Sequence, residues 1–209
     1  MGTDFAVYVS VDGGQSWTKM KNNMPTNPVY DLKIHPREND LIVATHGRGI
    51  YIADISALAE VSLESLGSEA FFFQPESKVR WVGGVSHEAA SANFNGESEP
   101  AQIPFYYWLR GDVGGQVTFT VFQGNVPIAT VEGPGEAGLH KVPWGMNKTP
   151  QGQTEQPAQG GGRFGGQGGR GGRGQAAPIG EYTVVMSVSG QEMSRRVSIL
   201  KDEWWMERR

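Results

Sequence analysis

Apolar and polar residues alternate in short stretches through the first fifty positions, and turn residues cut the stretches apart. Positions 5–10 are aromatic and β-branched, and 16–20 resume after a Gly13-Gly14 turn. Positions 29–35 alternate cleanly, with Val29, Asp31, Lys33 and His35 on one side and Tyr30, Leu32 and Ile34 on the other. Two apolar runs, 41–45 and 50–53, flank the tight turn His46-Gly47-Arg48-Gly49. Short strands at this spacing predict an all-β sandwich, barrel or propeller.

The pattern loosens over 56–103. Leu58, Val61, Leu63 and Leu66 lie near helical spacing, and Ser56 is placed to cap them, which predicts a short helix over 56–66. Phe71-Phe72-Phe73 followed by Gln74-Pro75 reads as a segment that docks aromatics on a core and then breaks. Positions 83–103, rich in Gly, Ser, Ala and Asn, read as a surface linker. The whole of 56–103 is therefore expected to connect two β units.

Strand patterning returns at 105–110, 117–122, 128–131 and 139–144. The clearest hairpin covers 180–200, with Tyr182, Val184, Met186 and Val188 on one face and Ser189-Gly190-Gln191 at the turn. About six or seven strands at this spacing predict an immunoglobulin-like β-sandwich over 104–200. The Gly/Arg/Gln-rich stretch 151–178 cannot repay its ordering entropy by burial, so it is expected to be a disordered insertion between two sandwich strands. Its ends need only lie near each other, because loop-closure cost grows slowly with length. In the tail 201–209, Trp204-Trp205-Met206 is expected to fold back on the molecule, since an exposed tryptophan pair would be an unusual patch.

Composition narrows the chemistry. The 209 residues carry a formal net charge of −4, which provides no basic field for nucleic acid or an anionic membrane. Arg163-Phe164-Gly165-Gly166 and Arg170-Gly171-Gly172-Arg173 look like a short RGG tract, but the arginines are few and a flexible loop is the better reading. There is no cysteine, so disulfides, thiolate metal sites and cysteine nucleophiles are excluded. The four histidines, His35, His46, His87 and His140, form no ligand-spaced pair, and no metal or other cofactor is expected. No apolar run approaches the roughly 20 residues of a membrane span. The chain opens directly in strand-like sequence without a signal peptide, which suggests a piece of a longer protein.

One motif is sharper than the rest. Ser10-Val11-Asp12-Gly13-Gly14-Gln15-Ser16-Trp17 fits the pattern Ser-x-Asp-x-Gly-x-Ser/Thr-Trp, the Asp box. Asp12 can accept hydrogen bonds from turn amides, Gly14 can take a positive φ, and Trp17 can pack its ring against a sheet. With the strand pattern over 2–55, the motif resembles the propeller proteins of the sialidase and sortilin type, known as BNR-repeat or glycosyl-hydrolase-like proteins. The resemblance implies that 1–55 is the last part of an Asp-box β-propeller, with the box joining the third and fourth strands of one blade. The next blade would begin at 29, and five strands cannot close a ring, so sheet edges near 5–10 and 49–53 are expected to stay open.

The resemblance further implies an exported protein: secreted, periplasmic or on the cell surface. Its implied partners are a protein, peptide or glycan ligand and the rest of a larger propeller. In that family the Asp box is a structural marker, so Ser10, Asp12, Gly14, Ser16 and Trp17 are expected to shape a turn. By the same analogy ligands meet the opposite face, which places Asn23, His46 and Arg48 on the candidate ligand loops. A glycosidase needs paired carboxyl groups, or a tyrosine with a carboxylate partner and clustered arginines. No such set is visible here. Two functions are therefore carried forward: a non-catalytic binding or structural module, or part of a sialidase-like enzyme whose catalytic residues lie upstream.

Overall fold

The structure, a computed structural model, describes residues 1–21, 24–36, 39–81, 101–149 and 175–203. It is all-β apart from two single-turn helices. A two-stranded hairpin comes first, β1 (Tyr8–Val9) with β2 (Thr18–Lys19). An antiparallel meander follows, built from β3 (Val29–Ile34), β4 (Asp40–Thr45) and β5 (Ile50–Asp54) in that order. Val7, Leu41 and Val43 form a small core for this part, and Val29, Leu32, Tyr51 and Ile55 pack around it.

The simple alternation predicted for 29–35 does not hold. The β3–β4 register shifts between Val29 and Asp31, and this irregularity resets which side chains face the sheet's packed side. Val29 and Leu32 pack inward, while Tyr30 and Ile34 are left 70% and 60% exposed.

The predicted single helix is split in two. After α1 (Ser56–Ala59) the chain re-caps itself and enters α2 (Leu63–Gly67). Ser56 is inside α1 and caps nothing; its N-cap is Ile55, without a side-chain bond. The effective cap is Ser62, whose hydroxyl accepts from the Ser65 amide at 3.1 Å while the Ser65 hydroxyl accepts from the Ser62 amide at 2.8 Å. That reciprocal pair is a capping box, and it starts a new helix where the periodicity alone suggested continuation.

The segment expected as a linker also contributes two strands, β6 (Ala70–Phe72) and β7 (Lys78–Arg80). They join the larger unit, with β8 (Ile103–Leu109), β9 (Val117–Gln123), β10 (Val126–Gly133), β11 (Gly138–Trp144), β12 (Gly180–Val188) and β13 (Gln191–Lys201). One sheet runs β11-β8-β6 and the other β10-β9-β12-β13-β7. All pairings are antiparallel except β13 with β7, which is parallel.

The inward faces of the two sheets share one core. Phe119 of β9 meets Phe72, Phe105 and Tyr107 of the opposite sheet at ring separations of 5.3, 5.4 and 5.1 Å. Trp144 of β11 meets Tyr182 of β12 edge-on at 5.4 Å. Tyr182, Val184, Met186 and Val188 all turn inward, as their spacing predicted. The hairpin that follows is a two-residue turn in which Ser189 and Gly190 both take positive φ, 48° and 79°. That geometry matches the right-handed twist of the flanking strands.

Candidate functional site

The turn over Ser10–Trp17, where the Asp-box pattern lies, is a closed set of hydrogen bonds. Asp12 Oδ1 accepts from the Ser10 hydroxyl at 2.8 Å and from the Ser16 amide at 2.9 Å. Its Oδ2 accepts from the Ser16 hydroxyl at 2.5 Å. The Ser10 oxygen in turn accepts from the Gly14 amide at 2.7 Å. Gly13 and Gly14 take φ of 71° and 92°, which side-chain-bearing residues rarely adopt. Bonds from the Ser16 hydroxyl and amide, then from Ser10, hold the Asp12 carboxyl well below its ordinary range. The carboxylate is committed to its own turn.

Trp17, expected to pack its ring against a sheet, lies over its own turn instead. It is 46% exposed, and its indole N–H donates to the Gly14 carbonyl at 3.1 Å. The ring closes over the turn from outside, within 3.7 Å of where a Gly14 Cβ would stand.

His46 and Arg48 lie in the β4–β5 turn, closed by the Thr45 amide and hydroxyl on the Gly49 carbonyl at 3.1 and 2.7 Å. The segment before β3 is tied to this turn. Asn27 Nδ2 donates to the His46 carbonyl at 2.6 Å, and the His46 amide donates to the Pro28 carbonyl at 3.0 Å. The His46 ring leans on Tyr30 with centroids 5.1 Å apart, and Arg48 is exposed at the tip. The turn and the entry to β3 thus form one surface. Asn23, the third residue assigned to it, lies outside the described residues.

A third cluster was not visible in the sequence. Asp54, at the end of β5, accepts from the Ser56 amide at 2.9 Å and the Ser56 hydroxyl at 2.6 Å on Oδ1. Its Oδ2 accepts from the Tyr106 hydroxyl at 2.9 Å, which ties the meander to the outer face of β8. Burial works to raise the Asp54 pKa, but the Ser56 and Tyr106 hydrogen bonds, with the Lys141 charge, leave it below its ordinary value. Burial and then the Asp54 charge push Tyr106 far up, so its phenol stays protonated. Lys141 stands over the Tyr106 ring, 5.2 Å from its centre, from the directly paired position on β11. Asp54 followed two residues later by Ser56 is a local turn signal, but nothing in the sequence points from Asp54 to Tyr106.

Arg80 was missed as well. Its guanidinium donates to the Ala177 carbonyl and, at 2.6 Å, to the Met146 carbonyl. The Ala177 amide donates to Met146 O at 2.9 Å and the Lys148 amide to Gln175 O at 2.7 Å. These bonds bring together the two ends of the Gly/Arg/Gln-rich stretch, whose interior lies outside the described residues, as do most of 83–103 and the Trp204-Trp205-Met206 triplet.

Among the described residues, no group of three or more histidines and carboxylates is placed to hold a metal ion. No helix among them is long and apolar enough to cross a membrane. Comparison with protein-family models, with curated proteins and with solved structures finds no match.

Proposed function

We propose that the chain is a non-catalytic binding or structural module, the closing part of an exported Asp-box propeller followed by an immunoglobulin-like domain. The observation that carries the reading is the engagement of Asp12 by three hydrogen bonds from Ser10 and Ser16, which makes the motif a turn-former. The antiparallel meander β3-β4-β5 beside it supplies three of the four strands of a blade.

Three features support the immunoglobulin-like part. Three strands face five, in the orders β11-β8-β6 and β10-β9-β12-β13-β7. A short early strand, β7, runs parallel to the last strand, β13. The Tyr182 hydroxyl, near the start of the penultimate strand, donates back to the Pro178 carbonyl, the arrangement of a tyrosine corner.

The enzymatic alternative places its catalytic residues upstream, so only a site built within this chain can be weighed here. Among the described residues, Tyr106 with Asp54 is the one tyrosine–carboxylate pair bonded through the hydroxyl, yet its environment raises the phenol pKa, whereas a nucleophile needs it lowered or a free base beside it. Binding belongs instead to the surface of Asn27, Tyr30, His46 and Arg48, which combines an exposed aromatic, an imidazole and a cation. Such a set suits an acidic glycan or an extended peptide with a carboxylate. The test is titration of the isotope-labelled chain with sialylated glycans and with acidic peptides, followed by amide shifts. Shifts confined to 27–30 and 45–49 support the reading. Silence there, or turnover of a chromogenic sialoside by the chain, rejects it.

A further inference from the structure

A carboxylate, an amine and a carboxamide meet where the meander touches the larger unit. Glu76 accepts from the Asn39 carboxamide nitrogen on Oε1 at 3.4 Å, and the Lys78 ammonium stands 3.7 Å from its Oε2. One carboxylate thus carries the amide on one oxygen and the amine on the other. The Lys78 and Glu76 side chains are only 23% and 25% exposed. The cluster adjoins the Asp54–Tyr106 contact, since the charges of Glu76 and Asp40 both act on Tyr106.

The backbone on each side is fastened. Asn39 ends the β3–β4 turn at a φ of 52°. Its amide donates to the His35 carbonyl at 3.2 Å, and its carbonyl accepts from the Ile55 amide at 3.0 Å. Lys78 opens β7 and pairs in parallel with Ile199 of β13. Just before it, the Ser77 hydroxyl accepts from the Ser198 amide at 3.0 Å, and Gln74 Nε2 donates to the Arg196 carbonyl at 2.6 Å. Amine and amide are therefore held near each other by two anchored segments, which turns their encounter into an intramolecular one.

We infer that Asn39 and Lys78 become joined by an isopeptide bond that the chain forms on itself, with Glu76 as the proton carrier. The step balances without any further reactant, and nothing is oxidised or reduced. The Lys78 ammonium gives a proton to Glu76, because a site withdrawn from water favours the neutral amine and acid over the ion pair. The free electron pair on Nζ then attacks Cγ of Asn39. Glu76 passes its proton to the departing Nδ2 and accepts a second from Nζ. The Nζ–Cγ bond is made, the Cγ–Nδ2 bond breaks, and ammonia leaves. Ammonia takes the remaining proton in water and Glu76 returns to its carboxylate. The product ring encloses β4, β5, both helices and β6, and it staples the meander to β7. The inference rests on this junction alone and is independent of the binding reading.

The experiment is intact-mass spectrometry of the full chain after incubation at neutral pH, followed by tryptic digestion. The expected mass is that of the sequence less one ammonia. Cyclisation of an asparagine or glutamine also loses ammonia, so the deciding result is the fragments. The one holding Asn39 should be joined to the one holding Lys78, and trypsin should no longer cut after Lys78. Glu76→Gln keeps the shape of the side chain without its carboxylate, and should slow the joining at least about a hundredfold, the usual share of a positioned proton carrier. Lys78→Arg is the second variant; it keeps the charge, cannot form this bond and should stay at its sequence mass. Circular dichroism checks that each variant keeps its sheet. A wild type that holds its full sequence mass with separate fragments overturns the proposal. So does joining at other residues, or joining that proceeds undiminished in Glu76→Gln.

Discussion

Tyr106 donates its hydroxyl to Asp54 Oδ2 at 2.9 Å, and this bond joins the last residue of β5 to the middle of β8 across 52 positions of sequence. Both groups are half-buried, so neither finds full compensation from water when the other is lost. Tyr106→Phe leaves Asp54 with its two bonds from Ser56 and should cost about 1.5–3 kcal/mol, the usual range for a hydrogen bond to a charged group. Asp54→Asn weakens the Ser56 bonds too and should cost more. The double variant should lose less than the sum of the two, and denaturant titration of all four chains measures the difference. Strict additivity would mean the bond does not hold the meander in place.

The same contact fixes a pH dependence. The folded pKa of Asp54 lies below its ordinary value of 3.8. A lowered carboxylate pKa contributes stability that is fully present above the unfolded value and is lost as pH falls through the folded one. The junction should therefore be insensitive to pH from neutrality to about 4 and should loosen only below that. Tyrosine fluorescence of the Tyr106→Phe chain, subtracted from that of the wild type, isolates the transition. Loosening between pH 5 and 7 would contradict the assignment.

Asp12 makes a local prediction. Its bonds are confined to residues 10–16, and the turn touches neither side of the Phe119 core. Asp12→Ala should release the amides of Gly14 and Ser16 to fast hydrogen exchange while the main thermal transition stays within about 1 °C, since surface changes away from the core shift stability little. Asp12→Asn keeps an acceptor and should release them less. A large fall in the main transition would show that the hairpin is integral to the larger core.

Legibility in the sequence followed the range of the interaction. The inward set Tyr182, Val184, Met186 and Val188 was readable because a strand imposes period two on a half-buried face. The turn over Ser10–Ser16 was readable because all its bonds close within a few residues. Four things were not. The shift at Val29 and Asp31 breaks period two with no glycine or proline inside it, although Pro28 stands just before. The Ser62–Ser65 box competes with helical periodicity, and a local side-chain bond won. β6 and β7 are three residues each, too short to show a period, and are strands only because β8 and β13 present edges to them. The contacts of Asp54 with Tyr106, and of Arg80 with Met146 and Ala177, depend on tertiary placement that no single-chain pattern encodes.

Gly135 tests the packing of the turn that leads into β11. A Cβ there would stand 1.7 Å from the Gly115 carbonyl oxygen, which is backbone and cannot swing aside, and 2.8 Å from Val113 Cγ2. The Gly135 carbonyl also accepts from the Val113 amide at 2.8 Å, so the two loops are locked together at that point. Gly135→Ala must push them apart and should cost at least about 2 kcal/mol, as overpacking does in a close-packed region. Gly111→Ala is the control, with open space around its Cβ and no positive φ, and should be close to neutral. Thermal melts of the two variants decide it, and similar losses in both would count against the close approach.

The last prediction concerns the clamp at Arg80. Its guanidinium bridges Ala177 O and Met146 O, and the backbone bonds from Ala177 to Met146 and from Lys148 to Gln175 close the same gap. Trp144 adds a fourth tie through its indole N–H to Asn147 O at 3.0 Å. The ends of the 150–174 stretch are thus held by residues outside it. Replacing 150–174 with a four-residue Gly-Ser linker should change unfolding free energy by less than about 2 kcal/mol, because closure cost varies only with the logarithm of loop length. The sign should be stabilising, since the shorter loop costs less to close. Arg80→Met should instead be costly, about 2–3 kcal/mol, since it strips a charged donor from two carbonyls while keeping the side chain's length. The two changes should also be coupled. With the long stretch in place, loss of Arg80 lets the ends separate, whereas in the shortened chain the linker holds them. Arg80→Met should therefore cost less in the shortened background, and equal costs in both would mean that Arg80 supports the core without acting on the loop ends.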